Sequence, residues 1–95
     1  MVGGNFNTYE VTVANSGAED VDISAIKGEK LVKINPGAAS VRLLITPVSS
    51  TTDATVSSFL LVNGENEFSL GVGLDRLSFY NGSGSEAKVS VAVIS

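Results

Sequence analysis

Apolar side chains recur at every second position along most of this chain, and clusters of turn-forming residues separate the runs. That period belongs to β-strands, whose side chains alternate between two faces. In "TYEVTVA" Tyr9, Val11 and Val13 share one face, with Thr8, Glu10 and Thr12 on the other. "NSGAED" (Asn15 to Asp20) reads as a turn, because Asn, Gly and Asp tolerate left-handed backbone. "VDISAI" then places Val21, Ile23 and Ala25 inward. "KLVKIN" is short and is stopped by Pro36-Gly37. In "SVRLLIT" Val41, Leu43 and Ile45 share a face, while Leu44 interrupts the polar alternation of the other. This strand is therefore expected to be covered in part on both sides.

The second half follows the same rhythm. "PVSSTTD" (Pro47 to Asp53) is the longest polar loop and the expected mobile segment. "ATVSSFLLV" contains the apolar run Phe59 to Val62, and "NGEN" carries the Asn-Gly pair favoured in tight turns. "EFSLGV" directs Phe68, Leu70 and Val72 inward, "RLSFYN" aligns Leu77 with Phe79, and "AKVSVAVI" aligns Val89, Val91 and Val93. Both "SFLLVNGENEFSL" and "LSFYNGSGSEAKVSV" read as hairpins. About eight short strands at regular spacing predict an all-β, single-domain antiparallel β-sandwich or small barrel. The expected organisation is an N-terminal arm over residues 1–7, made flexible by Gly3-Gly4, followed by a β-sandwich domain over residues 8–95.

Composition changes this picture in two ways. A domain of 95 residues has a thin core, burying only about 60% of the surface its unfolded chain exposes. It has no cysteine, which excludes disulfides and thiolate metal sites, and no histidine, the commonest general base. With charged residues at 17%, well short of what covers a small domain, some apolar surface is expected to be buried by self-association or a partner. The net charge of −4 and the scattered cations Lys27, Lys30, Lys33, Arg42, Arg76 and Lys88 argue against nucleic acid as a partner. No apolar run approaches a membrane span, and "MVGGNFNTYE" lacks the charged and apolar regions of a signal peptide, so synthesis in the cytoplasm is expected.

Candidate chemistry is sparse. Lys88 and Ser90 have the residue types of a Ser–Lys dyad, but alternation puts both on an exposed strand face. Glu65, Glu67 and Asp75 could converge as a carboxylate pair or, with backbone carbonyls, as a calcium site, yet the "DxDxDG" spacing is missing and "AEDVD" is equally generic. In "GVGLDR" the glycines Gly71 and Gly73 begin like a dinucleotide fingerprint, but Arg76 stands where the third glycine belongs and a strand follows. They are expected to serve a bend or bulge. No catalytic residue and no cofactor is assigned. Carbohydrate binding would use exposed aromatics, for which Phe6, Tyr9 and Tyr80 are available, though the chain has no Trp.

The C-terminal part, Phe59 to Ser95, resembles small virion proteins of tailed phages. The resemblance rests on Gly64-Glu65, Phe68-Ser69-Leu70, Leu74-Asp75-Arg76-Leu77 and Phe79-Tyr80, followed by a Gly/Ser turn and the Val-rich "AKVSVAVIS". These are turn-and-strand patterns, and the front half is similar only in style. The resemblance implies a capsid decoration (cement) protein with a jelly-roll-like sandwich, forming a homotrimer on the virion surface and gripping the major capsid protein without catalysis. Val2, Phe6, Tyr9 and Tyr80 are the expected partner-binding residues, with Val2 to Asn7 acting as a contact arm and Phe6 as its anchor.

Overall fold

The computed structural model of the chain describes residues 5–95. Eight strands follow one another: β1 (Phe6–Val13), β2 (Ala18–Asp22), β3 (Lys30–Asn35), β4 (Val41–Thr46), β5 (Phe59–Leu60), β6 (Asn66–Leu70), β7 (Arg76–Asn81) and β8 (Ala87–Ile94). They form two four-stranded sheets in the orders β1-β8-β3-β6 and β2-β7-β4-β5, with antiparallel pairing throughout. The described residues are therefore all-β, and their strand order is that of a jelly roll. The two sheets face each other as a sandwich and enclose one core.

Period-two alternation builds that core. Val13, Val32, Ile34, Val89, Val91 and Val93 point inward from the first sheet and are essentially fully buried. Val41, Leu43, Leu77 and Phe79 meet them from the second. Cross-strand register keeps the set on one face: Val91 lies opposite both Tyr9 and Ile34, and Val93 lies opposite Val32. A slip of one residue would turn all of these outward.

Several local expectations change. The turn after β1 is tighter than "NSGAED" suggests, because β2 begins at Ala18 and ends at Asp22. Val21 is half-buried, Ile23 is buried just beyond the strand, and Ala25 is exposed. Asn81 fixes this register: its carbonyl accepts from Ser16 N–H at 2.7 Å and its N–H donates to the Gly17 carbonyl at 3.0 Å. Neither expected hairpin forms. β5 and β6 lie in different sheets, as do β7 and β8, so both connections cross between the layers. Val72 is exposed in the β6–β7 turn rather than inward.

Two residues of the expected arm over residues 1–7 belong to the first strand. Phe6 and Asn7 open β1 and pair with Ile94 and Val93, and Asn5 exchanges backbone hydrogen bonds with Ser95 at 3.2 Å. Val2 lies outside the described residues.

The loop after β4, expected to be mobile, packs against the outward face of the second sheet. Ala54 N–H donates to Ser78 Oγ at 2.8 Å, and Arg42 Nη1 donates to the Ser58 carbonyl at 2.9 Å. Ser78 is completely buried, and Leu44, opposite it on β4, is half-buried. This is the covering on both sides that the "RLLI" pattern of β4 predicts.

Candidate interaction surface

Of the expected partner-binding residues, the three that are described, Phe6, Tyr9 and Tyr80, direct their side chains to different faces. Phe6 stands on the outward face of the first sheet and is 65% exposed. Tyr9, three positions on, falls on the opposite face of β1 and packs half-buried against the core. Tyr80 is half-buried on the outward face of the second sheet, opposite Arg42 and Ala18. Val2 is not among the described residues.

Phe6 does border an open depression of about 590 Å³ over the outward face of β1, β8 and β3. Thr8, Glu10, Lys33, Asn35 and Ser90 contribute its polar lining, and Ala92 contributes apolar floor. Glu65 reaches its rim and lies 3.6 Å from Lys33 Nζ, with Glu67 4.0 Å away on the other side. These ion pairs are solvent-exposed, so each contributes only about 0–1 kcal/mol.

The residues singled out for chemistry are occupied with structure. Asp75 Oδ1 accepts from Lys30 Nζ at 2.7 Å, while Glu65 and Glu67 share Lys33, so the three carboxylates do not converge. Among the described residues no group of three carboxylate, Cys or His side chains could hold a metal ion. Within "AEDVD", Asp20 bonds Arg76, and Asp22 accepts from Ser24 N–H at 2.8 Å. Hydrogen bonds from Ser24 hold the Asp22 carboxyl below its ordinary value. Lys88 and Ser90 are exposed on the outward face of β8. Val72 and Gly73 of "GVGLDR" form the turn that carries the chain from one sheet to the other, with Gly73 at φ 94°.

The Asp-Arg pair that follows that turn carries much of its structural weight. Arg76 is 6% exposed and is ringed by Asp20 Oδ2 at 2.8 Å, Asp53 Oδ1 at 2.6 Å and the Thr52 carbonyl. Hydrogen bonding to Asp53 raises its already high pKa against the opposing effect of burial. One guanidinium fork thereby ties β2, β7 and the loop after β4 together. Two buried amides do comparable work. Asn66 accepts from Val62 N–H and donates to the carbonyls of Ile34, Val62 and Gly64. Asn81 donates to Val13 and Ser85 and accepts from Ser83 N–H.

The apolar surface that sequence patterning missed lies on and around β5. Phe59 is 61% exposed, Leu60 49%, Val62 65% and Val56 64%, while only Leu61 of "FLLV" is buried. Phe59 meets Phe68 edge-to-face, with ring centroids 6.0 Å apart, at the margin between the sheets. The sequence marks the run without marking its exposure: no charged residue stands between Asp53 and Glu65, and the apolar run does not alternate. No protein-family profile matches the chain, and a search of curated proteins finds no similar sequence.

Proposed function

We propose that this jelly roll is a non-catalytic structural virion protein that decorates and stabilises a phage capsid through protein–protein contacts. Its partners in this reading are further copies of itself, as a homotrimer, and the major capsid protein. The observation that carries the reading is the apolar surface of Val56, Phe59, Leu60 and Val62, with Phe6 exposed separately on the first sheet. Exposed apolar patches on small domains mark interaction sites. The chain is poor in charge and the scaffold around these patches is held by the buried Arg76, Asn66 and Asn81. Jelly rolls serve in viral capsids and in lectins alike, so the fold admits this role without selecting it. A multivalent oligomer needs only weak contacts at each capsid site. The test is co-sedimentation with purified capsids of the phage that encodes the chain. Saturable binding weakened by Phe6→Glu supports the role, and absence of saturable binding overturns it.

The depression beside Phe6 favours a second reading, a carbohydrate-binding module of a tail or baseplate. An exposed aromatic ring beside Glu10, Lys33, Asn35 and Ser90 has the mixture of stacking surface and hydrogen-bonding groups that sugars use. Glycan-array binding lost on Phe6→Ala would establish it in place of the first.

A further inference from the structure

Among the described residues the sandwich has four edge strands: β1 and β6 in the first sheet, β2 and β5 in the second. Free edges are a hazard that proteins blunt with charge, proline or cover. Three of these edges are blunted with carboxylates. β1 carries Glu10, β6 carries Glu67, and β2 carries Glu19, Asp20 and Asp22. β5 carries none, and the whole stretch from Ala54 to Gly64 is uncharged. The nearest carboxylate before it, Asp53, is turned to Arg76. The Leu61 N–H donates to the Val41 carbonyl, so alternation of the antiparallel ladder leaves the Leu60 N–H and C=O facing away from β4. An unprotected edge with exposed Phe59, Leu60 and Val62 is the surface of a strand that is covered in use.

Charge identifies the occupant. Every copy of this chain carries a net charge of −4, so two copies meeting at β1, β2 or β6 would oppose carboxylate to carboxylate. The β5 edge is where identical acidic chains come together without that repulsion. Residues beside a rotation axis meet their own equivalents, and here apolar side chains would meet apolar side chains. We propose that the β5 edge, Val56 to Val62, lies at the rotation axis of the homotrimer and packs there against the same segment of the other two copies. This rests on the self-association in the function proposed above and adds its location.

The full chain at tens of micromolar is examined by sedimentation velocity and native mass spectrometry. The wild type is expected well above its 9.8 kDa chain mass. Leu60→Glu and Val62→Glu, both at exposed positions, are expected to sediment as 9.8 kDa monomers with unchanged far-UV circular dichroism. Val72→Glu places the same charge in the β6–β7 turn, 78% exposed at the wild-type valine, and is expected to leave the oligomer intact. An oligomer that persists in Leu60→Glu overturns the placement while leaving self-association standing. A monomeric wild type that still binds capsids overturns it while leaving the decoration role standing. A monomeric wild type whose capsid binding is lost in Leu60→Glu also overturns it, and assigns the edge to the capsid instead.

Discussion

Arg76 Nη2 and Asp53 Oδ1 lie 2.6 Å apart, joining a strand at the middle of one sheet to a loop that the strand pattern leaves unassigned. Asp20 on β2 holds the same guanidinium at 2.8 Å. Arg76→Ala removes the charged partner of both carboxylates, which are themselves half-exposed and can return to water. The expected loss is about 2–3 kcal/mol, below that of a fully buried pair. Urea denaturation measures it, and hydrogen exchange across Pro47 to Ser58 should rise in the folded variant. Arg76→Lys keeps a charge without the fork and should recover only part of the loss.

The Lys30–Asp75 pair predicts an asymmetry. The Lys30 side chain is 1% exposed and that of Asp75 is 20%. Asp75→Ala strands a buried ammonium with only the Gly28 carbonyl at 3.3 Å, and is expected to cost about 3–5 kcal/mol. Lys30→Met fills similar space and leaves a carboxylate that reaches solvent, so its cost should be about 1–2 kcal/mol. Equal losses in the two variants would contradict the burial difference.

Asn66→Ala deletes an acceptor for Val62 N–H and the donors to three carbonyls. Leaving buried groups unpaired should lower stability by about 2–3 kcal/mol. Asn66→Asp should be no better near neutral pH, because it turns a carboxylate toward carbonyl oxygens that need a donor. Both are read from denaturation midpoints.

Gly37 has φ 70°, and a Cβ there would collide with the Lys88 carbonyl oxygen. That oxygen belongs to backbone in the central strand β8 and cannot step aside cheaply. Gly37→Ala is expected to cost more than about 2 kcal/mol, beyond the strain of positive φ alone. Gly28→Ala, also at positive φ but with open space around it, is the matched control and should cost less.

Asp22 supplies a pH dependence. Its folded pKa is depressed by Ser24, so its contribution is present above the unfolded carboxyl value and disappears as pH falls through the lower folded value. The difference in urea midpoint between wild type and Asp22→Ala should be full at pH 7 and shrink in acid, below the ordinary range for aspartate. A difference that grows on acidification would reverse the sign and contradict the assignment.

The strands were legible because burial in a sandwich imposes period two, and Val89, Val91 and Val93 or Val11 and Val13 display it without interruption. The pairing was not. "NGEN" and "NGSGSE" announce that the chain reverses, but a return into the same sheet and a crossing to the other use the same turn residues. The strand character of Ala18-Glu19-Asp20 was hidden because an exposed edge accepts acidic residues that β-propensity disfavours. The loop after β4 reads as free because its anchors, Arg76 and Ser78, stand 24 positions away from the atoms they hold. Of the expected contact residues, Phe6 is exposed as its place before the alternating run allows, whereas Tyr9 follows the inward phase of Val11 and Val13. The exposed β5 cluster was the least legible, since an uncharged apolar run looks the same in a core as on an uncovered edge.

Of the six strand pairings among the described residues, β4 with β5 alone joins neighbours in the chain. The one local starting point is thus β5, two residues long, returning to β4 after the loop that runs from Pro47 to Ser58. Folding must close wide loops before Val32 finds Val93 or Tyr9 finds Val91, and that closure entropy is lost before any packing offsets it. Chains of this kind fold on the order of milliseconds to seconds, far slower than helical domains of equal length. Throughout that interval "FLLV" is an uncharged apolar segment with no gatekeeper. Refolding yield should consequently fall as protein concentration rises, and the β5 charge variants should refold more completely than the parent chain.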